Sequence, residues 1–175
     1  MELSTSSSTS RSARAGEASA QVREYLAFQV GRELYGVDIL RVQEIRGFET
    51  PTRIAGATEV VRGVLNLRGV IVPILDLRHS MGLPAEIGVG TVTIVMNLKQ
   101  RTVGFVVDGV TDVVGLSPAD IQPAPELADG GRGTFIQGLG ELKVEGREQM
   151  LILLDADQLL GHLGDSEQAL LAVSM

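Results

Sequence analysis

The chain has 175 residues, 44% of them hydrophobic, enough for one domain or two small intertwined ones that bury roughly 70% of the surface an unfolded chain exposes. Without a single cysteine there can be no disulfide, thiolate metal site or cysteine nucleophile, and nothing points outside a reducing compartment. A net charge of −7, with 22 acidic against 15 basic residues, argues against nucleic acid, and 3% aromatics without Trp leave neither base-stacking platforms nor a groove for proline-rich peptides.

Residues 1–22 are rich in Ser, Thr and Ala and nearly devoid of large apolar side chains, the composition of a disordered tail. Arg11 and Arg14 in that Ser-rich setting echo a transit peptide, but Glu2 and Glu17 argue for a plain tail. No apolar run approaches the roughly 18 residues of a bilayer helix, so no membrane insertion is expected.

From Glu24 the pattern changes. Leu26, Phe28 and Val30 alternate with Ala27 and Gln29 as in a half-buried strand, and Leu34 to Val37 returns after the turn at Gly31-Arg32-Glu33. Ile39, Val42 and Ile45 then recur every third residue behind a potential N-cap, Asp38, which predicts a short helix with those three facing inward. Gly63 to Leu67 and Val70 to Leu77 read as a hairpin in which Gly69 can supply a positive φ. Pro73 lacks a donor N–H, so it is expected at a strand edge or a bulge.

The second half echoes the first. The run Tyr35 to Ile45 aligns with Val103 to Val113, sharing a glycine in second place (Gly36, Gly104), a valine in eighth (Val42, Val110) and an acid in tenth (Glu44, Asp112). Downstream, the hairpin led by Gly63 and ending at Asp76 is mirrored by one led by Gly138 and ending at Asp155. Two β-units, at about 24–90 and 91–161, follow, and many short strands with frequent turns suggest small barrels. Asp165 and Gln168, spaced as a capping box, with Leu170, Leu171 and Val173 behind them, predict a C-terminal helix over 165–173 that packs back on a barrel.

Chemistry is sparse. His79 and His162 sit in polar-flanked connections without acidic neighbours at ligand spacing, so no metal or other cofactor is expected. Neither the glycines near Gly88 nor those near Gly130 complete a phosphate-binding motif, and no nucleophile elbow is present. Asp155 and Asp157 stand at a helix start, where carboxylates complement the dipole. A small-molecule-binding or catalytic barrel built on Asp108, Asp112 and His79 is the alternative reading. The feature that stands out is the hairpin tip Leu67-Arg68, an aliphatic residue beside a cation. Leu67 either folds under the turn or meets a partner, and Glu44 poses the same choice.

The strings YGVDILRVQEIRG from Tyr35, RGVLNLRGVIVPILDLR from Arg62, VGFVVDGVTDVV from Val103 and IQPAPE from Ile121 closely resemble the CheW family of bacterial chemotaxis coupling proteins, over about residues 24 to 173. The resemblance implies a mainly β fold of two intertwined, five-stranded SH3-like barrels enclosing a hydrophobic groove, and no enzymatic activity. It implies an adaptor that couples methyl-accepting chemoreceptors to the histidine kinase CheA, cytoplasmic and recruited to membrane-associated arrays, with further CheW copies as ring partners. Carried over residue by residue, Val42, Glu44, Gly63 and Arg68, with Val92 and Val113 as groove candidates, match receptor-contact positions. Ile39 and Leu127 match kinase-facing positions, although relatives can carry an aromatic where Leu127 stands.

Overall fold

The computed structural model describes residues 21–57, 59–98, 101–124 and 135–162. Most of the expected tail, Leu127 and the helix expected over 165–173 lie outside the described residues. In chain order, β1 (Arg23–Val30) and β2 (Glu33–Asp38) form a hairpin, followed by a 3-10 turn at Ile39–Arg41 and β3 (Val42–Gly47). A second hairpin, β4 (Val61–Leu67) and β5 (Val70–Asp76), leads into a single helical turn, α1 (Leu77–Ser80). The second half runs β6 (Val92–Leu98), β7 (Arg101–Val107), β8 (Gly109–Leu116), a 3-10 turn at Pro118–Asp120 and β9 (Ile121–Gln122). It closes with β10 (Ile136–Val144), β11 (Arg147–Leu154) and α2 (Ala156–His162).

The strands form two sheets, one of six strands in the order β8-β1-β2-β11-β10-β9 and one of five in the order β3-β6-β7-β5-β4. If β6, β7, β8, β10 and β11 replace β1, β2, β3, β4 and β5, the first five strands of one sheet become the order of the other. The sixth strand is the two-residue β9. The intertwining is visible in the third strand of each half: β3 leaves its own hairpin to pair with β6, and β8 leaves its own to pair with β1. Each sheet carries one parallel pair, β2 with β11 and β5 with β7, and at both the aligned glycine sits where a side chain is refused. A Cβ on Gly36 would lie 2.9 Å from Leu151, and one on Gly104 2.6 Å from Ile74.

Alternation along the strands divides the apolar side chains among three cores. Val72, Ile74, Val95 and Val106 pack inside the five-stranded sheet, and Tyr25, Ala27, Leu151 and Leu153 inside the six-stranded one. Between the sheets lies the largest cluster, including Leu26, Phe28, Ile94, Met96 and Phe105. Strands buried on both faces need near-continuous apolar runs, which is why β6 reads VTIVMNL. Each such side chain contributes about 1.5–3 kcal/mol by leaving water.

Two sequence expectations are corrected. The helix expected to start at Ile39 is one 3-10 turn, capped by Asp38 Oδ1 accepting from the Leu40 amide at 2.9 Å, and from Val42 onward the chain is strand. Pairing with β6 overrides the three-residue spacing, and strand alternation turns Ile45 outward, 45% exposed, while Glu44 is half-buried. Pro73 is not on an edge, because β5 lies between β4 and β7. Its missing N–H is tolerated because Val64, opposite it, directs both backbone hydrogen bonds to Thr52 instead, and pairing with β7 begins only at Ile74.

Candidate functional site

The tip of the β4–β5 hairpin is a two-residue turn with both residues at positive φ, Arg68 at 54° and Gly69 at 89°, the geometry whose twist suits a hairpin. Asn66 Oδ1 fixes it by accepting from the Gly69 amide at 2.8 Å. Strand alternation sends Leu67 under the turn into the sheet's own core, 7% exposed, and leaves Arg68 projecting, its side chain 78% exposed. Val70 and Ile71 beside it are about half exposed. Arg68 Nη2 meets Glu44 Oε2 at 3.3 Å. Those two residues belong to opposite edges of the five-stranded sheet, so the contact records a sheet rolled until its edges approach. The Thr52–Val64 bridge and the Arg62 guanidinium over the Phe48 ring, 5.7 Å from its centroid, span the same gap.

Glu44 is the pivot of this face. Its Oε2 also lies 3.8 Å from Arg46, which pairs with Glu49 at 3.4 Å, whereas its Oε1 is buried and accepts no hydrogen bond. Val42, two residues earlier, packs half-buried against the shared core. Gly63 is buried at φ 143°, and a Cβ there would stand 2.1 Å from the Thr52 carbonyl oxygen. It therefore shapes the β4 edge through its backbone and offers a partner no surface. Val92 is half-buried against the shared core opposite Gly47, and Val113 is 42% exposed on β8, in the other sheet. Ile39 is also half-buried on the shared core, and the exposed apolar side chain of that turn is Leu40, at 88%. Leu40 escaped the sequence reading because a helical period was imposed on a three-residue turn.

Behind this face is a buried charge network that the sequence reading also missed. Asp76, 1% exposed, accepts from Arg62 Nε at 2.5 Å and from Arg78 through Nε and Nη2, each at 3.0 Å. Arg78, fully buried, donates from Nη1 to Asp108 at 3.0 Å and to the Glu86 carbonyl at 2.6 Å, while Arg62 reaches the Ala85 carbonyl at 2.7 Å. Asp108 accepts in turn from the Gly31 amide at 2.7 Å, tying the loop at 85–86 and both sheets together. The alternative polar set does not assemble around a common point. Asp108 is committed to Arg78 and Gly31, Asp112 is exposed and accepts from the Val113 amide, and His79 pairs with Glu59 at 3.2 Å. Asp155 and Asp157 serve the start of α2: Asp155 accepts from the Gln158 amide at 3.1 Å and Asp157 pairs with Arg41 at 2.8 Å. Among the described residues no group of three or more acidic or histidine side chains could hold a metal ion.

Residues 24–164 match the family model of the CheW-like domain. The chain is 51% identical over 150 residues to the chemotaxis protein CheW of Klebsiella aerogenes, covering 83% of this chain and 85% of that protein. The chain belongs to the CheW-like family. A CheW of Rhizobium meliloti is 42% identical over 135 residues, 77% of this chain and 86% of its own. Among solved structures, the scaffolding protein TtCheW of Thermoanaerobacter tengcongensis superposes with a TM-score of 0.67 at 27% identity, over 76% of this chain and 88% of that one. These CheW relatives are named as chemotaxis and scaffolding proteins, not as enzymes, and the mainly β, two-sheet fold is theirs. Among the described residues no helix is long and apolar enough to cross a membrane.

Proposed function

We propose that this CheW-like chain works as a chemotaxis adaptor, coupling the cytoplasmic tips of methyl-accepting chemoreceptors to the histidine kinase CheA within membrane-associated arrays. The observation that carries this reading is the meeting of Glu44 and Arg68 at 3.3 Å, two positions singled out for receptor contact that lie far apart in sequence. Beside Arg68 on the same hairpin, exposed Val70 and Ile71 offer apolar contact. A receptor helix docks there by laying apolar side chains against the aliphatic surface while an acidic group draws Arg68, a mode in which a few central anchors dominate.

The kinase contact falls on the turn at Ile39–Arg41. Ile39 keeps the kinase-facing role there while half-buried on the core, and beside it Leu40, held outward by the Asp38 cap and the Arg41–Asp157 ion pair, adds an exposed apolar group. Leu127, the second kinase-facing candidate, and contacts with other CheW copies in rings remain part of this reading through the family resemblance.

The test is a pair of binding assays with purified receptor fragment and CheA. Arg68→Glu is expected to weaken receptor binding by up to a few kcal/mol while CheA binding and folding persist. Leu40→Glu is expected to do the reverse. Equal loss of both partners in either variant contradicts two separate faces.

A further inference from the structure

Among the described residues the chain passes between its two sheets twice. Strands β1 and β2 lie in the six-stranded sheet, β3 to β7 in the five-stranded one, and β8 to β11 in the six-stranded one again. The first passage is the 3-10 turn at Ile39–Arg41, and the second is a single residue, Asp108, between β7 and β8. An ion pair clamps each passage: Arg41 with Asp157 at 2.8 Å, partly exposed, and Asp108 with the fully buried Arg78 at 3.0 Å.

The second clamp uses both carboxylate oxygens of Asp108, one for each sheet. Its Oδ1 accepts from Nη1 of Arg78, which follows β5 of the five-stranded sheet, and its Oδ2 accepts at 2.7 Å from the amide of Gly31, in the β1–β2 turn of the six-stranded sheet. The Asp108 amide in turn donates to the Gln29 carbonyl of β1 at 3.0 Å. Arg78 is itself held, because Asp76 accepts from its Nε and Nη2 and the Glu86 carbonyl from its Nη1. The apolar core between the sheets keeps them together, but burial is non-directional, whereas charge-assisted hydrogen bonds fix distance and angle. Glu44 and Arg68 belong to the five-stranded sheet, while the turn at Ile39–Arg41 is anchored to the six-stranded one through β2 and to α2 through Arg41 and Asp157. A shift of one sheet on the other therefore moves these two faces relative to each other. We infer that Asp108 is a positioning residue, a clasp that sets the five-stranded sheet against the six-stranded one and with it the receptor face against the kinase-facing turn. The clasp stands on the geometry alone, and its consequence for signalling rests on the proposed function.

Asp108→Asn tests it, because an amide has one acceptor oxygen where the carboxylate has two and must turn its own N–H groups toward either Arg78 or Gly31, both of them donors. The Asp108 side chain is 34% exposed and Arg78 keeps Asp76, so the variant should fold, which urea unfolding checks. The chain has no cysteine, so nitroxides placed by Asn97→Cys on β6 and Gln149→Cys on β11, both exposed, read the distance between the sheets by pulsed electron resonance. One narrow distance is expected with Asp108 in place, and a broadened or shifted one with Asp108→Asn. In reconstitution without labels, Asp108→Asn should bind receptor fragment and CheA separately as the unaltered chain does, while receptor control of kinase activity falls at least about fivefold, the lower end of ordinary coupling effects. Leu142→Ala, which loosens the six-stranded sheet's own core away from the clasp, should keep that control. An unchanged distance would overturn the clasp. Unchanged control in Asp108→Asn, a loss that tracks weakened binding of either partner, or an equal loss in Leu142→Ala would overturn its role in signalling. An unaltered chain that exerts no control would instead defeat the adaptor reading, and the distance measurement would still decide the clasp.

Discussion

The two halves of the molecule share a backbone but place opposite charges at their hairpin tips. The hairpin tips superpose in kind, Arg68-Gly69 at φ 54° and 89° against Glu145-Gly146 at 51° and 77°. Across from the first tip Glu44 completes an ion pair, whereas the aligned Asp112 accepts only from its neighbour's amide. Both closing strands run into an aspartate that caps a helix, followed two residues later by a charged side chain that ties the helix to the junction after the parallel strand. In the first half that is Arg78 to Asp108, fully buried on the Arg side, and in the second Asp157 to Arg41, with Arg41 about half exposed. The repeat thus fixes the chain path, while charge and burial put both the buried lock and the proposed partner face in the first half.

The sharpest way to break the comparison is at the paired aspartates. Asp76→Ala leaves Arg78 buried without its bidentate partner and should cost about 3–5 kcal/mol. Asp155→Ala removes only a helix cap and should cost about 1 kcal/mol. Urea unfolding measures both, and equal losses would mean that burial does not distinguish the halves.

The same carboxylate makes a prediction about acid. Burial pushes the Asp76 carboxyl up, but hydrogen bonds from Arg78 and Arg62 and the charges behind them outweigh it and hold it below the ordinary range. A carboxylate whose folded-state pKa is depressed contributes stability above its unfolded pKa and loses it as pH falls through the folded value. Unfolding free energy should therefore decline below about pH 4, and Asp76→Asn should flatten that decline. An unchanged slope in the variant would place the acid sensitivity elsewhere.

The smallest effects belong to the exposed pairs. Arg41→Ala and Arg68→Glu should each change stability by no more than about 1 kcal/mol, since solvent screens both contacts. A larger loss in urea for either would move that residue from the presented face into the structural lock.

Much of this was legible in sequence. Alternation placed β1 and β2, and the glycine-second alignment put Gly36 and Gly104 at matching parallel pairs. The aliphatic-cation tip was conspicuous because turns are ordinarily polar. What escaped was long-range: which sheet β3 and β8 would join, and that Arg68 would reach Glu44 across a rolled sheet. The Asp76–Arg78 lock was hidden because a charged run reads as solvated until the carbonyls of Ala85 and Glu86, in an undistinguished loop, are known to cover it. Gly63, expected at a receptor contact, shapes the β4 edge through its closeness to Thr52, which no spacing in the sequence reveals.

In the proposed function the chain carries a signal between two partners without reacting with either. Reconstitution of the purified chain with CheA and receptor fragment tests it most directly, with CheA autophosphorylation as the readout. Kinase activity is predicted to become receptor-dependent only when the chain is present, and to lose that dependence with Arg68→Glu. Kinase activity that ignores the receptor with the unaltered chain present, or that follows it equally well without the chain, would contradict the account.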